Sequence, residues 1–591
     1  MNSLSNSSSI QRYAACIPST PLLVSQSNIP SSRNNKRYNR ISHQTPNPIR
    51  ASSLHPKKLK PNETKGRRKN PILLTNIFNW LDQFICDFVD PPLRVSIDPK
   101  HVLAGNFAPV GELPPTACTV VHGSLPPCLN GAYIRNGPNP QFFPRGPYHL
   151  FDGDGMLHSI KISDGEAIFC SRFVKTYKYN LEREIGSPVI LNVFSAFNGL
   201  LPSLARCTVE AGRILAGEFD PRRGIGVANT SLALFAGKLF AMGESDLPYT
   251  VKLTSDGDII TLGRHESFGE PLMTMTAHPK VEAETGEAFA FRHSIVHPFL
   301  TYFRINADGI KQPEVPISSL KEASLIHDFA VTKNYAVFFD SQIVIKPVEI
   351  LRGKQPIGVN AAKMPRLGII RRYAVDENEM WWVDAPGFNM IHAVNAWEED
   401  DGNTIVMVAL NILGVEHVLE RVDLIHSSVE RIEIDVQTES LRRRSSVCSR
   451  NLEFAVINPA YVGKKNRYAY ASIGEPMPNM VGVVKIDLSL SATTGYSSSG
   501  DECAVASHLY PPGCSGGEIV FVPREPENPA TQEDDGYLVS YVYDKNTQES
   551  NFIVMDAKSP TLAIVAAVKL PHRVPFGFHG IFVPDSQLKK L

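Results

Sequence analysis

Residues 388–399 read Phe-Asn-Met-Ile-His-Ala-Val-Asn-Ala-Trp-Glu-Glu, and they place a single histidine in the middle of an apolar segment. If this segment is a β-strand, alternate side chains share a face. The face of His392 would then also carry Met390, Val394 and Ala396. A buried imidazole must hydrogen-bond or bind a ligand, because an unsatisfied polar ring in an apolar layer costs about 1–3 kcal/mol. Taken alone, the pattern favours a core histidine satisfied by hydrogen bonds over a ligand.

The pattern occurs three more times, at His278, His327 and His579. The apolar residues that share the predicted faces are Leu325, Phe329 and Val331 for His327, and Ile581 and Val583 for His579. His278 precedes Pro279, which favours an extended conformation at the end of a strand. Four neutral imidazoles from distant segments predict one metal site. Imidazole suits zinc, copper, iron and nickel, so the ligand type alone does not select the metal.

Three glutamates stand in similarly apolar surroundings. Their neighbours on the predicted faces are Phe240 and Met242 for Glu244, Ala455 and Ile457 for Glu453, and Val520 and Val522 for Glu518. A metal-bound histidine normally donates its other ring N–H to an acceptor such as a carboxylate. The glutamates are therefore predicted partners of the histidines, and separate salt bridges and strand-end caps are the alternative.

Several motifs carry a family resemblance. In chain order they are Asp152-Gly-Asp-Gly-Met156, Thr276-Ala-His-Pro-Lys280, Ile326-His-Asp-Phe329, His392-Ala-Val-Asn-Ala-Trp-Glu398, Glu453-Phe-Ala-Val-Ile-Asn458 and Gly577-Phe-His-Gly580. They resemble the signatures of the carotenoid cleavage dioxygenases over the chain from about Asp90 to its end. Ile391 and the run Leu-Glu-Phe-Ala-Val-Ile-Asn-Pro are most similar to the plant type-four, plastid subgroup.

The resemblance implies a seven-bladed β-propeller with a helical cap on one face and Fe²⁺ on its axis. By position, the implied iron ligands are His278, His327, His392 and His579, and the carboxylates behind them are Glu244, Glu453 and Glu518. Tyr249, Phe329, Ile391 and Phe578 are candidates for lining the substrate tunnel, although the same stripes fit an ordinary core. Three departures from the family pattern, Ala455, Gly517 and Ile391, bear on substrate range rather than on the ligands.

The implied reaction is scission of one carotenoid or apocarotenoid double bond by O₂, which gives two carbonyl products. The 9,10 or 9′,10′ bond is the expected position, and the 7,8 or 7′,8′ bond is the variant. No catalytic side chain is expected beyond the metal site. The alternatives are an iron enzyme of the same kind acting on a stilbene or a retinoid ester, and a non-catalytic plastid lipid-droplet binding protein.

Composition bears on the partners of the chain and on the redox state of its compartment. The chain has 591 residues and a formal net charge of −1, with 43% hydrophobic and 20% charged residues. A near-neutral chain predicts no nucleic-acid partner, because phosphate binding needs a concentrated basic face. The nine cysteines form no Cys-x-x-Cys pair and suit a reducing compartment with free thiols.

We divide the chain into three parts. Residues 1–70 are rich in serine, contain basic residues and carry their first acidic residue at Glu63. This composition is typical of an organelle transit peptide, and an ordinary disordered tail is the alternative. The family resemblance implies that the organelle is a plastid, either a chloroplast or a chromoplast. Residues 71–90 are predicted to form an amphipathic helix, and residues 91–591 a single β-propeller domain.

Two segments are apolar without being strands. In residues 71–90, Leu74, Ile77, Phe78, Leu81, Phe84, Ile85 and Phe88 recur at helical spacing. Packing on the propeller is the favoured use of this stripe, and a membrane interface is the alternative. The second segment, Ser187 to Arg206, is predicted either to form a greasy rim at a tunnel mouth or to pack as a capping helix. Residues 73–88 and this second segment are the predicted contacts with a membrane or plastoglobule surface.

The rest of the chain indicates an all-β fold. Short runs rich in β-branched and aromatic residues, such as Thr-Ile-Val-Met-Val-Ala at 404–409, alternate with turns. Asp-Gly pairs at 164–165, 256–257 and 308–309 are typical of hairpin turns. No strict repeat is visible, so these residues alone leave a sandwich and a propeller both open.

Overall fold

The structure is a computed structural model, and it describes residues 71–270, 272–490, 503–525, 528 and 531–591. Residues 1–70, where the transit peptide is predicted, lie outside the described residues. In the described part, short β-strands dominate and helices are few. This confirms the predicted all-β class.

The strands are numbered here in chain order. The first nineteen are β1 (Leu113–Ala117), β2 (Thr119–Gly123), β3 (Gly131–Pro138), β4 (Gly155–Ser163), β5 (Glu166–Phe173), β6 (Ser231–Phe235), β7 (Lys238–Met242), β8 (Tyr249–Leu253), β9 (Ile259–Arg264), β10 (Lys280–Val281), β11 (Ala288–His293), β12 (Leu300–Ile305), β13 (Val315–Ile317), β14 (Ala330–Val331), β15 (Tyr335–Asp340), β16 (Ile343–Ile345), β17 (Ile357–Val359), β18 (Arg366–Arg371) and β19 (Trp381–Asp384). The others are β20 (Met390–Glu399), β21 (Thr404–Leu413), β22 (His426–Asp435), β23 (Ser440–Cys448), β24 (Leu452–Val456), β25 (Tyr468–Gly474), β26 (Met480–Asp487), β27 (Ala504–Leu509), β28 (Cys514–Ser515), β29 (Val520–Pro523), β30 (Gly536–Asp544), β31 (Glu549–Asp556), β32 (Ile564–Lys569) and β33 (Gly580–Pro584).

Seven antiparallel sheets form the blades of a propeller. Their strand orders are β33-β3-β4-β5-β1, β6-β7-β8-β9, β10-β11-β12-β13, β14-β15-β18-β19, β20-β21-β22-β23, β24-β25-β26-β27, and β28-β30-β31-β32-β2 with β29 also paired to β30. The small hairpin of β16 and β17 lies outside the blades. The predicted seven-bladed propeller is therefore confirmed.

Strands from the two ends of the propeller domain close the ring of blades. The last strand, β33, pairs with β3, so that Gly580 lies opposite Arg135. The early strand β2 pairs with β32 at the other edge of the last blade, where Val120 lies opposite Val568. Closure by sheet pairing satisfies the backbone groups that an open edge would expose.

The hydrophobic cores lie between neighbouring blades. One core joins Val337 and Ile369 of the fourth blade to Met407 and Ile432 of the fifth, and another joins Val408 of the fifth blade to Ala471 of the sixth. A blade is thus covered on both faces, so its central strands need apolar residues at successive positions. This explains why the run at 404–409 is continuously buried rather than alternating.

The Asp-Gly pair at 164–165 forms a two-residue hairpin turn. Ser163 pairs with Glu166 across it, and both turn residues have positive φ, 52° for Asp164 and 83° for Gly165. Two successive positive φ values match the twist of the flanking strands, and this is the reason for the glycine.

Helices cover part of the propeller. They are α1 (Pro71–Phe84), followed directly by a π-helical turn (Ile85–Val89), α2 (Pro99–Val102), α3 (Tyr177–Ile185), α4 (Leu200–Leu215) and α5 (Asp585–Leu588). The buried Arg213 of α4 joins α1 to this layer by hydrogen bonds to Asp82 (2.6 Å) and Asn79 (3.0 Å). Gly212 allows close approach, since a Cβ there would lie 2.9 Å from the Phe78 ring.

The predicted packing of the α1 stripe is found for only part of its residues. Ile85 is buried, but Leu74, Ile77, Phe84 and Phe88 are 39%, 44%, 42% and 76% exposed. The side of α1 that faces α4 carries Asn79 and Asp82, which bind Arg213, together with the Phe78 ring, which packs against Gly212. Four of the seven apolar residues of the stripe remain on the surface. None of the helices in the described residues has the length and apolar character needed to cross a bilayer.

Candidate metal centre

The four predicted histidines lie at corresponding places in four blades. His278 precedes β10 by two residues, His327 precedes β14 by three, His392 is the third residue of β20, and His579 directly precedes β33. Each of these strands is a terminal strand of its sheet. Because the four rings converge, these edges are the inner edges of the blades.

The local conformations differ from the regular strands that the sequence predicts. His327 lies in an irregular segment, since β14 contains only Ala330 and Val331. Around His392 the pairing of β20 with β21 shifts between Met390 and Ala393 and again before Asn395. These bulges break the alternation, so Val394 packs in a different core from Met390 and Ala396. The prediction that His392 shares one face with Met390, Val394 and Ala396 is therefore wrong for Val394 and Ala396.

The imidazoles meet at one point. One nitrogen from each ring lies within 4.8 Å of the corresponding nitrogen of every other ring. The His278 and His327 ring centroids are 4.5 Å apart, as are those of His278 and His579, and the His392 centroid is 4.9 Å from that of His579. The Nε2 atoms of His278 and His327 are 2.9 Å apart. The structure thus brings together all four histidines singled out in the sequence.

The three predicted carboxylates each face the outer nitrogen of one ring. Glu453 Oε2 is 2.9 Å from His392 Nδ1, Glu518 Oε1 is 2.8 Å from His579 Nδ1, and Glu244 Oε1 is 2.5 Å from His327 Nδ1. Glu453 and Glu518 make hydrogen bonds that favour the tautomer with the proton on Nδ1, which leaves the Nε2 lone pairs of His392 and His579 directed at the centre. Glu244 lies within ion-pair distance of His327 Nδ1. The His278 ring contacts His327 Nε2 instead.

Backbone amides hold two of these carboxylates. The amide of Phe454 donates to Glu453 Oε2 (2.6 Å), and the amide of Gly580 donates to Glu518 Oε2 (2.6 Å). Phe454 itself has φ +53°, a conformation that a non-glycine residue adopts at a cost of about 1–2 kcal/mol. In this conformation the Phe454 ring lies 5.6 Å from the His579 ring, and the Phe454 amide bonds the carboxylate that faces His392.

The pKa values of His278 and His392 are shifted in opposite directions. Burial lowers the pKa of His278 far below its usual range, and the three neighbouring imidazoles lower it further. Burial also opposes protonation of His392, but the carboxylates of Glu453, Asp328 and Glu518 together outweigh burial and raise that pKa. Burial likewise favours the neutral form of Glu453, but His392, the Phe454 amide and His579 together outweigh it and lower the pKa of Glu453. Glu453 is therefore held ionised as the acceptor of the Nδ1 proton.

This donor set fits a bound transition metal. The Nε2 atom of His392 is buried and has no hydrogen-bond partner among the described residues. Converging lone pairs at 2.9 Å are unfavourable unless a cation or a proton lies between them. Four imidazole nitrogens without a thiolate or a carboxylate ligand suit iron, copper, nickel or zinc.

A largely apolar cavity of about 320 Å³ opens onto the centre. Its wall includes His327, His392 and His579 with the carboxylates of Glu244 and Glu453. The apolar part of the wall includes Leu150, Phe151, Leu191, Val193, Phe194, Ile225, Val227, Leu325, Ile343, Met390, Val418, Phe454, Met480 and Phe576. A wall of this kind accepts a hydrocarbon chain and excludes water.

The tunnel candidates divide into two pairs. Ile391 and Phe578 line the cavity. Tyr249 does not, because it is buried between the first two blades and its hydroxyl contacts Asp246. Phe329 does not either, because it stacks on Phe338 within the core of the third and fourth blades (centroids 5.4 Å apart). These two assignments are corrected, since their apolar stripes belong to cores between blades.

Asp328 is a residue that the sequence analysis missed. Its carboxylate lies 2.7 Å from Lys280 Nζ, two residues after His278, and accepts from the amide of Ala393 (2.9 Å), next to His392. It also follows His327 directly. One buried carboxylate thus ties together three of the four histidine-bearing segments. The sequence does contain a signal for this role. Asp328 directly follows the candidate ligand His327, and Lys280 lies two residues after the candidate ligand His278.

Replacing Asp328 with asparagine is expected to lower the free energy of unfolding by about 1–3 kcal/mol, because Lys280 loses its buried charged partner. The change is measured as the shift in the midpoint of denaturant-induced unfolding. Asp308→Asn, at an exposed turn, is the matched control and should leave the midpoint unchanged. Equal midpoints for Asp328→Asn and wild type would contradict the claim that the Asp328 carboxylate stabilises the contact between the histidine-bearing segments.

Comparisons with known proteins agree with this geometry. The family model described as retinal pigment epithelial membrane protein matches residues 107–584. A probable chloroplastic carotenoid cleavage dioxygenase 4 of Arabidopsis thaliana is 55% identical over 567 residues, which covers 95% of this chain and 92% of that protein.

Two further relatives carry a bond position in their names. The chromoplastic zeaxanthin 7,8(7′,8′)-cleavage dioxygenase of Crocus sativus is 49% identical, over 63% of this chain and 99% of that protein. The carotenoid 9,10(9′,10′)-cleavage dioxygenase 1 of Arabidopsis thaliana is 38% identical, over 83% of this chain and 91% of that protein.

A similar fold occurs in a solved structure. The cobalt-substituted Synechocystis ACO (apocarotenoid oxygenase) superposes with a TM-score of 0.65 at 25% identity, over 83% of this chain and 99% of that one.

Proposed function

Since this chain belongs to the carotenoid cleavage dioxygenase family and is an oxygenase, we propose that it cleaves one double bond of a carotenoid or apocarotenoid with O₂, giving two carbonyl products. The observation that carries this proposal is the convergence of four histidines, three of them backed by glutamates, at the wall of an apolar cavity. We propose that His278, His327, His392 and His579 hold Fe²⁺ and that Glu244, Glu453 and Glu518 orient three of them.

The residues of the site have separable tasks. Bound Fe²⁺ would supply the electron density that ground-state O₂ needs in order to react with a closed-shell alkene. The four neutral imidazoles leave the charge of the ion uncompensated, and Glu453 and Glu518 fix the tautomers of His392 and His579. The apolar wall keeps water away and holds the polyene against the centre, so the contribution of the chain is positioning rather than acid–base catalysis. The cobalt-substituted relative supports a metal in this fold.

The proposed position of cleavage is the 9,10 or 9′,10′ bond, and the 7,8 or 7′,8′ bond is the variant. Both positions occur in the names of relatives. The position is set by the depth to which the polyene enters the cavity. Ile391 and Phe578, which adjoin His392 and His579 in the chain, and Phe454, whose ring is 5.6 Å from that of His579, line the cavity and are proposed to limit this depth.

We also propose that the chain acts in a plastid. The serine-rich, acid-poor composition of residues 1–70 supports a plastid address. The names of relatives in Arabidopsis and Crocus, which include chloroplastic and chromoplastic, support it as well. The plastoglobule is the proposed site within the plastid, because a carotenoid substrate is stored in lipid.

The exposed apolar side chains of α1 and α4 support docking on such a lipid surface. Trp80 of α1 is 63% exposed and Leu201 of α4 is 72% exposed. The segment before α4 connects this surface to the cavity, because Leu191 and Phe194 line the cavity wall. A substrate could then leave the lipid without crossing water.

Replacing both Trp80 and Leu201 with glutamate is expected to weaken binding to phospholipid vesicles by more than about 100-fold, because burying each large apolar side chain contributes roughly 1.5–3 kcal/mol and two are lost. Co-sedimentation with vesicles measures this change. Val375→Glu, which alters an 84% exposed valine on the propeller, is the control and should bind as wild type does. Equal binding by the double variant and wild type would remove α1 and α4 from the docking surface.

The proposed reaction is tested with purified, iron-loaded protein and carotenoid in detergent micelles. We expect O₂-dependent loss of polyene absorbance and two carbonyl products, identified by chromatography and mass spectrometry. A protein that cleaves a stilbene or a retinoid ester but no carotenoid would contradict the proposal. Tight carotenoid binding without O₂ consumption would favour the non-catalytic binding protein instead.

A further inference from the structure

A second, smaller cavity of about 110 Å³ lies beside the main cavity. The two share four wall residues, Gly153, Lys178, Leu191 and Asn192. The wall of the second cavity is more polar and carries Asp154 and Glu182 close to Lys178. The boundary between the two cavities thus carries a charged group on a largely apolar wall.

Lys178 is fixed at this boundary. Its ammonium donates to Glu182 Oε2 (2.7 Å), one turn further along α3. The other oxygen of Glu182 accepts from the amides of Val189 (2.9 Å) and Ile190 (3.0 Å). Lys178 and Glu182 are only 6% and 2% exposed, so the amine cannot swing out to solvent. It is a preorganised donor.

Asp154 and Lys178 do not use all of their hydrogen-bonding capacity within the part of the protein that the structure describes. Asp154 is 3% exposed, and its Oδ1 atom is buried without a hydrogen-bond partner among the described residues. Lys178 Nζ lies 3.6 Å from that oxygen, which is an ion pair but too long for a hydrogen bond. The Oδ2 atom of Asp154 accepts from the Gln141 amide (3.0 Å). An acceptor and spare ammonium hydrogens therefore remain side by side.

The charge states of Lys178 and Asp154 determine which chemical group of a ligand can hydrogen-bond to both of them. Burial opposes the charge on Lys178, but the carboxylates of Asp154 and Glu182 outweigh burial and raise its pKa. The amine is therefore an ammonium that can only donate. An alcohol accepts one hydrogen bond and donates another, so it can accept from Lys178 and donate to Asp154. A hydrocarbon does neither, and a ketone leaves Asp154 unsatisfied.

We propose that Lys178 and Asp154 form a hydroxyl-binding subsite that selects carotenoids with a hydroxylated end ring over their hydrocarbon counterparts. This inference rests on the proposed function, since it concerns the end of the substrate remote from the bond that breaks. Sites built to hydrogen-bond a hydroxyl discriminate strongly against analogues that lack it, because the buried polar groups are then left unpaired.

The test compares zeaxanthin, which has a hydroxyl on each end ring, with its hydrocarbon analogue β-carotene. For iron-loaded wild type we expect kcat/KM to be about 10- to 100-fold higher with zeaxanthin, because β-carotene leaves a buried polar group unpaired. Lys178→Met should reduce this ratio to about threefold or less. The ratio is insensitive to partial misfolding, which lowers both values together. Lys175→Met, at an exposed lysine just before α3, is the matched control and should keep the wild-type ratio.

A binding measurement separates this subsite from the reaction. The affinity of the metal-free protein for the two carotenoids, followed by the spectral shift in micelles, should show the same preference. If no carotenoid is cleaved but zeaxanthin still binds more tightly and Lys178→Met removes the difference, the proposed reaction is wrong and the subsite stands. Equal kcat/KM and equal affinity in wild type, or a preference that survives in Lys178→Met, would overturn the subsite.

Discussion

Replacing His392 with alanine is expected to abolish carotenoid cleavage, lowering kcat/KM by more than about 100-fold. Loss of an outer-shell partner of a metal ligand costs roughly 10- to 100-fold in affinity or activity, and loss of the ligand itself should cost more. His392 contributes a buried Nε2 atom that has no hydrogen-bond partner among the described residues. Removing the ring therefore deletes one of four donors without breaking a hydrogen bond at that atom.

The measurement is the amount of apocarotenoid product, separated by chromatography, from equal amounts of iron-loaded protein. His101→Ala is the matched control, because its side chain is 57% exposed and lies on α2, away from the four converging rings. It should retain wild-type activity. Unchanged product formation by His392→Ala would remove the metal centre from the reaction.

The second large effect is expected from Glu453→Gln, which should weaken metal binding by about 10- to 100-fold. The substitution keeps the size of the side chain and one oxygen for the Nδ1 proton of His392. It removes the negative charge that raises the basicity of the ring, while the glutamine oxygen can still accept from the Phe454 amide, because that amide and His392 Nδ1 contact the same carboxylate oxygen. The geometry is thus largely retained while the electrostatics change.

The dissociation constant is measured by competition with a chelator of known affinity, so that this readout does not depend on turnover. Glu379→Gln, at a glutamate whose side chain is 73% exposed, is the control and should bind metal as wild type does. If Glu453→Gln retains wild-type affinity, Glu453 is a structural salt-bridge partner and does not support a ligand.

The histidines and glutamates of the site could be predicted from the sequence because polar side chains in apolar segments need partners. That requirement applies to His392 whatever the details of its strand. The details themselves depend on pairing with a neighbouring strand. The bulge between Met390 and Ala393, and the irregular backbone around His327, arise from contacts with segments far away in the chain. No local pattern carries that information.

The tunnel residues show the limit of apolar patterns. Phe329 and Phe578 stand in similar apolar surroundings in the sequence, yet one packs between blades and the other lines the cavity. Both environments bury an aromatic ring, so hydrophobicity cannot separate them. The α1 stripe shows the same ambiguity, because an apolar helix face fits either a protein core or a lipid surface.

The number of blades could not be predicted from sequence patterns alone. Closure depends on β33 pairing with β3 and on β2 pairing with β32. These partners are more than 400 residues apart in the chain, and the blades show no strict repeat. The family resemblance implied seven blades, whereas strand runs and turns indicated only an all-β fold.

The most direct test of the account is metal analysis of the purified wild-type chain, combined with X-ray absorption at the edge of the metal found. We predict about one iron per chain, with a first shell that contains four imidazole nitrogens. A chain that cleaves carotenoid at full rate with no bound metal, or whose metal is coordinated through sulfur, would contradict the proposed centre.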